Sequence, residues 1–173
     1  MYDTTETKKW SDIQGLAAVT IDSGTKVGTV DNFYFDPSSG TILAFVIKTG
    51  AFSHGVLPTT EISAVGLDAL TYRHEQPMAR KQQEEALSNT LYGRDLLDYR
   101  VMSENGDVIG KIGNLILDVS QPSAIRLAAI ELSGGLREHM KGTYPTIAFN
   151  QILSFGQDVV VIPKTVALTL FHP

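Results

Sequence analysis

The sequence predicts an all-β protein made of two small β-barrels that an internal repeat relates and a short helical linker joins. Three observations lead to this fold class. A segment from Gly24 to Asp36 returns without gaps as Gly106 to Asp118, 82 positions later (Gly28 to Gly110). Its apolar residues are mostly β-branched, aromatic or leucine and are interrupted by glycine, which favours strands over helices. A chain of 173 residues accommodates two units of about 75 residues each.

Each copy of the repeat predicts a bent strand. The apolar positions of the first copy, separated by three, three and two residues, are Val27, Val30, Phe33 and Phe35. A regular strand alternates its side chains and would place Val27 and Val30 on opposite faces. A slip in register restores one inner face. We expect the slip at Gly28 and Gly110, because glycine tolerates the backbone angles of a bulge.

Both units are predicted to open on a short helical turn with a large aromatic residue. Trp10 begins the first unit, 10–74, and Tyr92 lies 82 positions later in the second unit, 91–173. We expect these two side chains to plug matching barrel ends.

The third strand of the first unit is apolar on both faces. It runs from Ile42 to Ile47, and past the preceding turn the offset grows to 84, which sets Leu43 opposite Leu127. A strand without a polar face is usually covered on both sides. We therefore expect its outer face to pack against the second unit or a partner chain. The candidate interface residues are Ile42, Ala44 and Val46.

Two segments lie outside the repeated strands. Residues 75–90 predict a helical linker, because Pro77 is followed by good helix formers. The tail, Thr165 to Phe171, is rich in β-forming residues. It predicts a C-terminal strand, part of the second unit, that pairs with an open sheet edge.

Composition and charge exclude several classes of protein. The chain is 43% hydrophobic and 19% charged, and it lacks the roughly 18-residue apolar run of a membrane-spanning helix. Cysteine is absent and the N-terminus does not have the layout of a secretory signal, so we expect a cytoplasmic protein. A net charge of −5 with scattered basic residues opposes non-specific binding to nucleic acid.

Glycines, an aspartate and a proline recur at matching places in the two units. They are Gly24, Gly28, Asp36 and Pro58 in the first unit, and Gly106, Gly110, Asp118 and Pro145 in the second. In this pattern each unit resembles the PRC-barrel, a small bacterial barrel named after the cytoplasmic domain of the photosynthetic reaction centre H subunit, which also forms the C-terminus of the ribosome maturation factor. The resemblance implies a structural role for these residues, with no catalytic residue and no cofactor. It also implies docking to other proteins, as in both named relatives.

Two pairs of polar residues recur in the units. Asp36 and Asp118 each begin a turn, where a carboxylate usually caps its own turn. A calcium loop would need several oxygen ligands in sequence. His54 and His139 lie in equivalent loops and are the candidate ligands if a metal or small molecule binds between the barrels.

The sequence favours a non-enzymatic protein-binding or scaffold module. No catalytic constellation can be assembled from its residues, and the partner has no signature in the sequence. A homo-oligomer is an open possibility. One alternative is ligand or metal binding between the barrels. Another is association with the ribosome or RNA processing, which the scattered charges do not favour.

Overall fold

The computed structural model describes residues 5–74, 90–133 and 144–171. Within these ranges the chain forms two seven-stranded sheets and few helices, as the repeat predicts. We refer to residues 5–74 as the first half and to the described residues from 90 to 171 as the second half. The predicted linker helix lies outside the described residues, apart from residue 90.

The first half contains seven strands and one short helix. In chain order these are β1 (Thr7–Lys9), α1 (Trp10–Ile13), β2 (Ala17–Thr20), β3 (Thr25–Phe35), β4 (Ile42–Lys48), β5 (His54–Pro58), β6 (Ile62–Val65) and β7 (Ala69–Tyr72). A 3-10 turn, Thr59–Glu61, joins β5 to β6.

The second half repeats this order and adds a C-terminal helix. Its elements are β8 (Leu91–Tyr92), β9 (Arg100–Ser103), β10 (Val108–Asp118), β11 (Arg126–Ser133), β12 (Thr146–Ala148), β13 (Ser154–Phe155), β14 (Val159–Ile162) and α2 (Lys164–Phe171). The 3-10 turns are Gly93–Leu96 and Phe149–Gln151.

The two sheets have the same topology. One runs in the order β5-β4-β3-β2-β7-β6 and the other in the order β12-β11-β10-β9-β14-β13. Neighbours are antiparallel except for the parallel pairs β2–β7 and β9–β14. The equivalent strands therefore follow one another in both halves, which confirms the tandem repeat.

The long central strands β3 and β10 are bent, as predicted. Each contains register shifts at matching positions, including one that leaves Val27 in β3 and Ile109 in β10 without a direct partner. These slips lie beside the predicted glycines, Gly28 and Gly110. The inward residues, all fully or almost fully buried, are Val30, Phe33 and Phe35 in β3 and Ile112, Leu115 and Leu117 in β10.

The pairing registers correct the predicted alignment at both ends of the repeat. Ala18 pairs with Gly28 and Val101 with Gly110, so the connection into β3 is one residue longer than that into β10. The entry residues are consequently 83 positions apart, and Trp10 corresponds to Gly93 rather than to Tyr92. Tyr92 is 41% exposed and does not fill a barrel end as predicted, whereas Trp10 is buried.

A second correction concerns the third strands. Phe35 pairs with Ile42 and Leu117 with Leu127, so the turn before β11 is three residues longer than the turn before β4. The offset in these strands is therefore 85, not 84. Leu127 corresponds to Ile42 rather than to Leu43.

The predicted C-terminal strand is wrong, because residues 164–171 form helix α2. Pro163 precedes the helix and accepts a hydrogen bond from the Ala167 N–H at 3.0 Å, while Glu104 Oε2 accepts one from the Lys164 N–H at 3.2 Å. Val166, Ala167 and Leu170 recur at helical spacing and pack on the core. Packing of this face outweighs the β-propensity of the segment.

Each half lends its opening strand to the sheet of the other half. β1 pairs with β10, setting Lys9 opposite Ile116, and β8 pairs with β3, setting Tyr92 opposite Tyr34. The starts of β4 and β11 also meet: the Ile42 N–H donates to the Ile125 carbonyl and the Leu127 N–H to the Gly40 carbonyl. These contacts are reciprocal, so an approximate twofold axis relates the halves. Their buried side chains form one continuous core.

Candidate functional site

The recurring aspartates cap their own turns. Asp36 Oδ1 accepts hydrogen bonds from the Ser38 hydroxyl at 2.7 Å and the Ser38 N–H at 2.9 Å. Asp118 Oδ1 accepts the same pair from Ser120, at 2.6 and 3.0 Å. These bonds, the hydroxyl first, lower the pKa of Asp36 below its ordinary value of 3.8. Both carboxylates are thus used in holding turns.

The recurring glycines and prolines lie at structural positions. Gly24 and Gly106 have φ angles of +63° and +90°, which L side chains rarely adopt. Gly28 lies against β4, where an added Cβ would meet the Lys48 carbonyl oxygen. Pro58 pairs with Ala44 at the end of β5, and the Pro145 carbonyl accepts the Leu132 N–H at 2.9 Å.

The apolar strand β4 is covered within the chain. Ile42, Ala44 and Val46 are only 1%, 3% and 9% exposed. The Ile42 N–H also bonds to the second half. Other parts of the same chain therefore bury the side chains that the sequence analysis named as candidate interface residues.

His54 contacts an aspartate that also pairs with an arginine of the second half. Its Nε2 lies 3.4 Å from Asp31 Oδ2, and Arg94 Nη1 of the second half lies 3.1 Å from Asp31 Oδ1. His139 falls outside the described residues. Among those that are described, no group of three or more histidine or acidic side chains is arranged to hold a metal ion.

The hairpin between β4 and β5 presents a fully exposed aromatic ring. Phe52 is 100% exposed at its tip. The hairpin is closed by a hydrogen bond from the Thr49 N–H to the Ser53 carbonyl at 3.0 Å, and the two hydroxyls lie 2.9 Å apart. The sequence analysis assigned His54 to this loop but did not identify Phe52. The available signal was a large aromatic residue within a short polar turn.

A groove lies where the first half's opening segment meets the β6–β7 turn. It is open to solvent and is lined by Lys8, Asp12, Leu67 and Ile116 among others. The Lys8 ammonium donates to the carbonyls of Val65 and Gly66, at 2.9 and 3.0 Å. This lysine therefore fastens the opening strand to the turn.

No helix in the described ranges has the length and apolar character needed to cross a lipid bilayer.

Comparison with known proteins agrees with the two-half architecture. The family model of the PRC-barrel domain matches residues 6–71 and 88–168. No curated protein matches the chain. The two matched segments coincide with the two halves and together cover most of the sequence. This chain therefore belongs to the PRC-barrel domain family, as a tandem of two such domains.

Proposed function

We propose that this chain is a non-enzymatic protein-binding module whose β4–β5 hairpin inserts Phe52 into an apolar pocket of a partner protein. The observation that carries the proposal is the complete exposure of this ring on a closed hairpin. A solvent-exposed phenylalanine gains about 2 kcal/mol or more when a partner buries it. Aromatic anchors surrounded by polar residues are typical of interface centres.

The hairpin is prepared for binding by its own hydrogen bonds. The bonds between Thr49 and Ser53 fix the tip before a partner arrives, so less conformational entropy is lost on association. Lys48 and His54 stand opposite each other at its base, where they supply a polar rim. A pocket with carboxylates around its mouth would complement this rim.

The polar residues that recur in both domains support a non-catalytic role, since Asp36 and Asp118 are engaged in their own turns. The absence of cysteine from the sequence supports a cytoplasmic location as part of the proposal. Ligand or metal binding between the barrels has less support, because His54 already contacts Asp31.

Site-specific photo-crosslinking tests the proposal. A photoreactive phenylalanine analogue at position 52 should capture a discrete protein from the source cells. Excess unlabelled wild type should compete with this capture, whereas excess Phe52→Ser should compete at least about tenfold more weakly. Leu67→Ser is the matched control, because Leu67 is 89% exposed in another turn, and it should compete like wild type. Equal competition by Phe52→Ser would refute the role of Phe52.

A further inference from the structure

We propose that the surface between the two halves fits only the other half of this chain and rejects a second copy of the same half. Each half would then pair with the other half of its own chain, and neighbouring molecules would not exchange halves. This inference is independent of the role of Phe52, because it concerns the contacts around the approximate twofold axis.

The backbone contacts alone do not discriminate between the halves. Asn114 Oδ1 accepts the Ser11 N–H of the first half at 3.3 Å, and Asn32 Oδ1 accepts the Arg94 N–H of the second half at 3.0 Å. Ser11 and Arg94 are equivalent, as are the two asparagines. A pair of like halves could make every one of these bonds, so selectivity must come from other side chains.

The first selective element is steric. The Phe33 ring packs edge-on against Trp10 of its own half, with ring centroids 5.0 Å apart. It also lies against Gly93 of the second half, where an added Cβ would come within 2.1 Å of Phe33 Cζ. In a pair of two first halves, Trp10 of the second copy would replace Gly93. Its side chain would overlap Phe33, because even a methyl group does not fit there.

The second selective element is charge. Lys9 Nζ lies 3.0 Å from Glu131 Oε2, and the residue equivalent to Glu131 in the first half is Val46. A second copy of the first half would therefore offer Lys9 no carboxylate. The Asp31–Arg94 ion pair would also be lost, because Arg94 is equivalent to Ser11.

Charge also opposes a pair of two second halves. Arg126 faces Thr41 in the bridge between β4 and β11, close to the axis. In a pair of second halves, Arg126 would face another Arg126, and like charges directly opposite each other are unfavourable. Arg94 would face Gly113, which is equivalent to Asp31. Pairs of like halves are thus disfavoured by specific clashes and lost ion pairs. Natural interfaces use such unfavourable contacts to reject wrong partners.

The test uses the full chain with a protease site inserted between residues 75 and 89. Isotopically labelled and unlabelled preparations are cut, mixed, unfolded, refolded together and weighed by native mass spectrometry. We expect the ratio of unlike to like pairs to be at least about tenfold higher than random pairing would give. Like pairs in random proportions would overturn the proposal. Separation of the cut halves at micromolar concentration would do the same.

A gain-of-function variant tests the selective residues directly. Phe33→Leu with Val46→Glu gives the first half the residues that the second half carries at these positions, Leu115 and Glu131. We expect pairs of first halves to increase at least about tenfold over wild type. The control is Phe33→Leu with Leu43→Glu, which places the carboxylate at an exposed position of the same strand. An equal increase in both variants would show that Val46 and Lys9 play no part in pairing.

Discussion

Gly28 marks a point where two backbone segments nearly touch. An added Cβ would lie 2.2 Å from the Lys48 carbonyl oxygen, whereas at the equivalent Gly110 it would lie 3.7 Å from the Ser133 carbonyl oxygen. The repeat predicts a glycine at both positions for the same reason. In the structure the two positions differ. Only at Gly28 is the neighbouring backbone so close that a side chain does not fit.

This difference predicts unequal effects of the same substitution. Gly28→Ala should lower the free energy of unfolding by about 1–3 kcal/mol, because the methyl group forces β3 away from β4. Gly110→Ala should change it by less than about 1 kcal/mol, since its Cβ would make only ordinary contacts. Urea unfolding of both variants measures the difference. Equal losses would contradict the close approach at Gly28.

Asp36 predicts a pH-dependent contribution to stability. Its folded-state pKa lies below the ordinary value of 3.8, mainly because the Ser38 hydroxyl donates to its carboxylate. The contribution is therefore present above that value and is lost as the pH falls through the lower folded-state pKa. Asp36→Asn should lower the melting temperature at pH 7, and the difference from wild type should shrink below pH 3.8.

Melting curves across this pH range provide the check, with the exposed Asp68→Asn as control. A deficit of Asp36→Asn that stays constant down to pH 2 would rule out this explanation.

The elements show where sequence patterns succeed and where they fail. The bent strands β3 and β10 could be predicted, because their glycines and inward residues recur at fixed spacing. Helix α2 could not, since its β-branched residues indicate a strand unless the packing of Ala167 is known. The sheets that β1 and β8 join could not be predicted either. Strands of three and two residues are too short to carry a pattern that indicates a pairing partner.

Helix α2 gives a prediction at the scale of the element. Ala167 is 6% exposed and Leu168 next to it is 58% exposed. Ala167→Asp should destabilise the protein by about 2 kcal/mol or more, because it buries an unpaired charge. Leu168→Asp should cost less than about 1 kcal/mol. Chemical denaturation of both variants tests whether the helix packs on the core through the face that carries Ala167. The reverse order of effects would mean that the helix packs through another face.

In the whole molecule, the repeat establishes two domains but not how they are joined. The sequence predicts the tandem correctly. It assigns Trp10 a counterpart in Tyr92, because one extra residue before β3 shifts the alignment. It also does not identify Phe52, since exposure at a loop tip depends on how the rest of the chain folds. The pairing of β1 and β8 with the sheet of the other half depends on tertiary contacts and could not be predicted from the sequence.

These crossings make the two domains one structural unit. Each sheet contains a strand from the other domain, and the buried side chains form a continuous core. Small domains of this size bury a limited fraction of their surface alone, so the shared interface is expected to supply much of their stability. The domains should then unfold together.

Scanning calorimetry of the intact chain tests this claim most directly, with two variants at equivalent buried positions, Leu70→Ala in the first half and Val160→Ala in the second. The account predicts a single transition whose calorimetric and van't Hoff enthalpies agree. Each variant should shift that whole transition to lower temperature. Two resolved transitions, each displaced only by the substitution in its own half, would contradict it.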